Sequence, residues 1–139
     1  MGWVLSPHTG GDKVSAAVQA RTERAILEHA ERNYSGLFTR IAVRFKGQFC
    51  YIDAFTEPAP PSPAMLHLVH ETAAEYLARL RETPTHLVRL RYFRGRDQWS
   101  LAFYAYSHER YEPCTFPSGD WFGSAEDAFD VGAVYLREG

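Results

Sequence analysis

Arginine and tyrosine recur in this chain at spacings that put them on one side of neighbouring strands. In THLVRLRYF, Arg89 and Arg91 alternate with Val88, Leu90 and Tyr92. Arg40 and Arg44 alternate in the same way with Ile41, Val43 and Phe45, and Tyr51, Asp53, Tyr104 and Tyr106 follow on later strands. Side chains on a strand point alternately to its two faces, so such a pattern separates an oily side from a side of guanidinium and phenol groups. Guanidinium forks hold carboxylate or phosphate in bidentate fashion. Arginine and tyrosine are also enriched at the centres of protein interfaces. Three chemistries are open to this set: self-association, capture of a small anion, and stacking of single-stranded nucleic acid on the rings. The bland alternative is a solvated face on which arginine stems lie across aromatic neighbours and Arg40 and Asp53 form an ordinary cross-strand pair.

Other reactive residues offer less. His67, His70 and Glu71 share a helix, but the order HxxHE matches no zinc-protease helix, and a solvated surface is the expectation. Cys50 and Cys114 are too few and too isolated for a disulfide framework or a CxxC metal site. A thiol nucleophile would need a nearby base, and no motif ties His86 or His108 to either cysteine. Asp53, Glu57, Glu109 and Glu112 have no spacing that demands a carboxylate pair. Gly10-Gly11 does not follow a strand and so is no phosphate loop. No cofactor or metal is called for.

The elements that must position the arginines are two hairpins. Thr85–Arg94 and Gln98–Tyr106 flank Arg94-Gly95-Arg96-Asp97, and the register that keeps the faces pure sets Phe93 opposite Gln98 and Tyr92 opposite Trp99. That register sends Leu87 to the arginine side with Tyr104 and leaves His86 near the core side. Leu37–Phe45 and Gln48–Phe55 turn at Lys46-Gly47, which pairs Val43 with Cys50 and Arg40 with Asp53. A first helix runs from an Asp12 cap to Tyr34, with Val14, Val18, Ile26 and Ala30 on its apolar stripe. Ser62-Pro63 opens a second helix to about Arg81, carrying Leu66, Val69, Ala73, Tyr76, Leu77 and Leu80. A short strand, Tyr111–Phe116, is confined to a sheet edge by Pro113, and Ser124 opens a last helix to Leu136.

These elements predict an α+β fold of order α-β-β-α-β-β-β-α, a two-layer sandwich with an antiparallel sheet of about five strands and helices on one face. Residues 1–11 read as a flexible leader and 12–139 as a single domain. A net charge of −2 gives no global pull towards nucleic acid or anionic membrane, and neither is an expected partner. No run of the sequence reaches membrane-span length.

GQFCYID (Gly47–Asp53), PTHLVRLRYF (Pro84–Phe93) and FYAYSHERYEPCTF (Phe103–Phe116) resemble a small family of uncharacterised bacterial proteins. The resemblance implies a bacterial, cytoplasmic setting and transfers no activity or site residue. The element order is also similar to that of dimeric secretion chaperones, a likeness of architecture alone. The expectation is therefore a non-enzymatic binding module and homodimer. Its interface or ligand site comprises Arg40, Arg44, Tyr51, Asp53, Arg89, Arg91, Tyr104 and Tyr106. A small anionic ligand or a single strand on the same face is the alternative, and a cysteine- or carboxylate-dependent enzyme the second.

Overall fold

The computed structural model describes residues 6–137; the expected leader residues Met1–Leu5 lie outside them. Strands β1 (Arg40–Lys46), β2 (Phe49–Phe55), β3 (Thr85–Phe93), β4 (Gln98–Ala105) and β5 (Arg110–Cys114) form one antiparallel sheet in sequence order. Helices α1 (Ala16–Tyr34) and α4 (Ala125–Gly132) cover one face of it, and the short α5 (Val134–Arg137) continues from α4. Tight turns set β1 beside β2, β3 beside β4 and β4 beside β5, the long link after β2 returns β3 to its flank, and β5 with Pro113 lies at the edge. The core between the layers includes Ile26, Ala30, Ile52, Val88, Leu90, Leu101 and Phe129.

The β3–β4 hairpin has the expected register, Phe93 opposite Gln98 and Tyr92 opposite Trp99. Asp97 takes a positive φ of 48° in its loop, accepts a hydrogen bond from Tyr92 Oη at 2.7 Å, and pairs with Arg21 of α1 at 2.8 Å. The β1–β2 hairpin is two residues out of the expected register. Lys46 pairs with Phe49, Val43 with Ile52, and Arg40 with Phe55 rather than Asp53. The turn is therefore Gly47-Gln48, with Gly47 at φ 60° in the first central position. That is where a type II′ turn requires glycine, and Lys46 could not take its place without strain. A slip of two leaves every side chain on its original face.

One irregularity does change faces. The ladder from β2 to β3 shifts between Ile52 and Asp53, so Ile52 pairs with Val88 but Asp53 with His86. Leu87 is the extra residue of a β-bulge. It is fully buried beside Val88 under α4, not on the arginine side as alternation predicts, and His86 turns to the arginine side.

Both α1 and the middle helix differ from their expected limits. Ser15, not Asp12, caps α1 through its side chain. Asp12 is instead bound to the hairpin: its amide donates to the Tyr92 carbonyl at 2.8 Å, and its Oδ2 accepts the Arg94 amide at 2.9 Å. The helix expected from Ser62 to Arg81 is two, α2 (Pro63–Val69) and α3 (Ala73–Arg81). His70 stops α2 in the left-handed region at φ 55°, and Thr72 with Glu75 forms a capping box that starts α3 anew. Neither helix has a buried residue, and Leu68 is 73% exposed. The pair has few contacts with the other elements, and the Glu57–Arg81 ion pair ties α3 to the proline-rich connector.

The helix layer is joined by a polar clamp. Asp130 Oδ1 on α4 accepts hydrogen bonds from Tyr34 Oη and His29 Nε2 on α1, both at 2.7 Å. Asp130→Ala removes two hydrogen bonds and leaves the largely buried Tyr34 phenol with Arg137 as its remaining side-chain partner. Its expected cost is about 1–2 kcal/mol, read as a lower urea midpoint at unchanged slope.

Candidate interaction face

Alternation on β1 to β5 puts Arg40, Arg44 and Lys46, then Phe49, Tyr51, Asp53 and Phe55, then Arg89 and Arg91, then Tyr104 and Tyr111 on the face away from α1 and α4. The guanidinium groups lie over rings: Arg40 over Phe55 at 3.9 Å, Arg44 over Tyr51 at 4.3 Å, and Arg89 and Arg91 over Phe49 at 4.8 and 4.7 Å. Each ring attracts its guanidinium through its quadrupole, which keeps the arginine heads close to the sheet surface.

At the β2–β4 end the face changes character. Asp53 is buried, with its side chain 9% exposed, and His86 Nδ1 donates to its Oδ1 at 2.8 Å. Arg44 approaches the other oxygen only to 3.9 Å. The His86 ring packs on Tyr104 at 4.8 Å, and Tyr104 meets Tyr106 and Tyr111 edge-on at 4.7 and 5.0 Å. Tyr106 lies past the end of β4, where its Oη accepts the His86 amide at 2.7 Å. Tyr111 Oη is enclosed without a hydrogen-bond partner. Burial, then the Asp53 charge, holds the Tyr111 phenol protonated well above the usual range, so it stands as a donor without an acceptor.

Of the eight residues singled out from the sequence, Arg44, Tyr51, Asp53, Arg89 and Tyr104 come together around Tyr111. Arg91 sits at the far end, where burial first and Arg89 second lower its pKa. Arg40 stands apart over Phe55. The residue that alternation misplaces is His86. The signal for it is the adjacent pair Leu87-Val88, where the period of two breaks as a bulge requires.

An Asp–His pair orients the imidazole through Nδ1, an arrangement also found beside nucleophiles. No thiol meets it, because Cys50 and Cys114 belong to the helix-covered side. Cys50 is fully buried, and burial pushes its thiol far up; half-buried Cys114 is raised by the same cause. In native protein at pH 8, Ellman's reagent is expected to leave Cys50 untouched until denaturant is added, since thiolate and access are both required. Rapid release of both thiols would contradict this placement. His67 and His70 are exposed, and no group of three potential metal ligands occurs among the described residues. Glu57 and Glu112 pair with Arg81 and His108, so they form no carboxylate dyad with Asp53. The depression between Arg89, Arg91, Ser100 and Pro113 holds about 30 Å³. A site for a small organic molecule takes roughly 300 Å³ or more.

No family model, curated protein or solved structure matches this chain. The face must be read from its own charge and geometry. No helix among the described residues is long and apolar enough to cross a membrane.

Proposed function

We propose that this chain is a binding module whose arginine-aromatic sheet face docks a carboxylate-rich protein surface. The observation that carries this is the partition of charge. The face has five of the fifteen lysines and arginines but one of the seventeen carboxylates, so it is net +4 while the rest of the chain is net −6. A partner bearing carboxylates meets several guanidinium groups held close to the sheet, and guanidinium and carboxylate can pair in bidentate fashion. Single-stranded nucleic acid is a poorer fit, because guanidinium groups already lie over Phe49, Tyr51 and Phe55, and Tyr104 packs edge-on with Tyr106 and Tyr111.

A second copy docked face to face is the other reading, and the tyrosines and arginines favour it. Against it, two +4 faces about 10 Å apart repel by on the order of 2 kcal/mol even after screening at physiological salt. Titration with fluorescent poly-L-glutamate, poly-L-lysine and oligo-dT separates the readings. Poly-L-glutamate is expected to bind, more weakly as salt rises, while the other two do not. Preference for poly-L-lysine or oligo-dT would sink the proposal, and a dimer in sedimentation that excludes poly-L-glutamate would favour the second copy.

A further inference from the structure

The far end of the face is occupied by the chain's own N-terminal segment. Arg91 Nη1 donates to the Gly10 carbonyl at 2.8 Å. Pro7 and His8 line one depression with Arg89, Arg91 and Ala102, and the His8 ring stands edge-on to Trp121 at 4.9 Å. The segment is anchored just downstream, where Asp12 bonds to Tyr92 and Arg94, and the Val14 amide bonds to the Gly47 carbonyl at 3.0 Å. Between anchor and cover lie Gly10 and Gly11, both at positive φ, 71° and 96°. A Cβ on Gly11 would come within 2.9 Å of Arg91 Cγ and of the Tyr92 carbonyl oxygen. The close approach to Arg91 is possible only because the residue is glycine.

We propose that Pro7–Gly11 is a cis strap that occupies the Arg91 end of the docking face and is displaced when a carboxylate-bearing partner binds. This rests on the function proposed above. The Gly10 carbonyl is a neutral stand-in for the partner's oxygen. A carboxylate on the same guanidinium adds an opposite charge and a second, parallel N–H···O bond, which the single neutral carbonyl does not offer. The glycine pair is the hinge, because it can swing without side-chain strain, and its swing pulls on the Asp12 amide bond to Tyr92 while the Val14 bond to Gly47 holds the segment below it.

The strap also responds to acid. Burial first and Arg91 second hold the pKa of His8 below its ordinary 6.5. The charged groups beside it are Arg91 and Arg89 on β3, with Asp120 in the adjoining depression next to Pro7. A depressed histidine favours the closed strap above pH 6.5, and closure weakens as pH falls below that value.

The test uses the full chain as wild type, Gly11→Val and His8→Ala, two substitutions that add no charge. Labelled poly-L-glutamate reports binding, and amide exchange at Asp12, whose N–H lies under the strap's base, reports opening. Both variants are expected to bind about fivefold more tightly than wild type, as loss of roughly one competing hydrogen bond implies. They are also expected to exchange faster at Asp12, and wild-type protection should fall between pH 7.5 and 5.5. Faster exchange with unchanged affinity overturns the strap as a gate, and so does no change in either readout. Absence of poly-L-glutamate binding in all three proteins overturns the docking reading itself and leaves the strap nothing to gate.

Discussion

Gly132→Val is expected to lower the melting temperature by about 10 °C, the largest effect of a single substitution on the fold. The C-terminal end of α4 presses directly on the β3 bulge. A Cβ built at Gly132 stands 2.8 Å from Leu87 Cβ and 2.9 Å from the Leu87 carbonyl carbon and Val88 Cγ1. Leu87 and Val88 are fully buried, and the bulge is paired to β2, so neither backbone nor side chain can retreat. Valine must therefore lift α4 off the sheet, and overpacking of this kind costs about 3 kcal/mol. Gly132→Ala should cost less, since alanine recovers about 1 kcal/mol of helix propensity while meeting the same wall. Calorimetry decides it, and a valine variant melting within about 2 °C of wild type would mean the helix–bulge contact is looser than described. Since Leu87 and His86 swing to opposite sides at this bulge, strain here is expected to reach the Asp53–His86 pair as well.

Arg40→Glu/Arg44→Glu is expected to weaken poly-L-glutamate binding by about 100-fold at low salt while leaving the fold intact. Two reversals take the face from net +4 to neutral. Each reversal is worth roughly 1–1.5 kcal/mol in a partly screened contact, and 1.4 kcal/mol is tenfold in affinity. Both residues project from the edge strand β1 and both are exposed, so no core contact is lost. Near-UV circular dichroism should be unchanged, and the slope of log affinity against log salt should flatten, because fewer counterion-releasing contacts remain. Equal affinity of variant and wild type would remove the face as the docking surface. The same reversal on Arg79 and Arg81 of α3, which belong to no strand of the face, is the control and should leave affinity within about twofold.

What the sequence could and could not specify follows from the range of each interaction. Alternation in VRLRY and IAVRF is local, so the division into an oily and a guanidinium face was fixed before any tertiary contact formed. The α+β order followed from the same periodicities. The β3–β4 register was legible because only one pairing keeps the faces pure. The β1–β2 register was not, because a two-residue slip preserves both faces and only the backbone at Gly47 chooses between them. The apolar stripe of α2 and α3 forecast helices but not their docking. Whether such a stripe is covered depends on where the stiff connector delivers it, and here neither helix buries a residue.

The bulge at Leu87, the seat of Gly132 against it and the strap on Arg91 join residues tens of positions apart, which no local pattern encodes. Composition alone gave a weakly acidic chain with no electrostatic preference. Folding sorted that charge into a +4 face and a −6 remainder, because burying one side of each strand obliges the other side to gather its arginines in one plane.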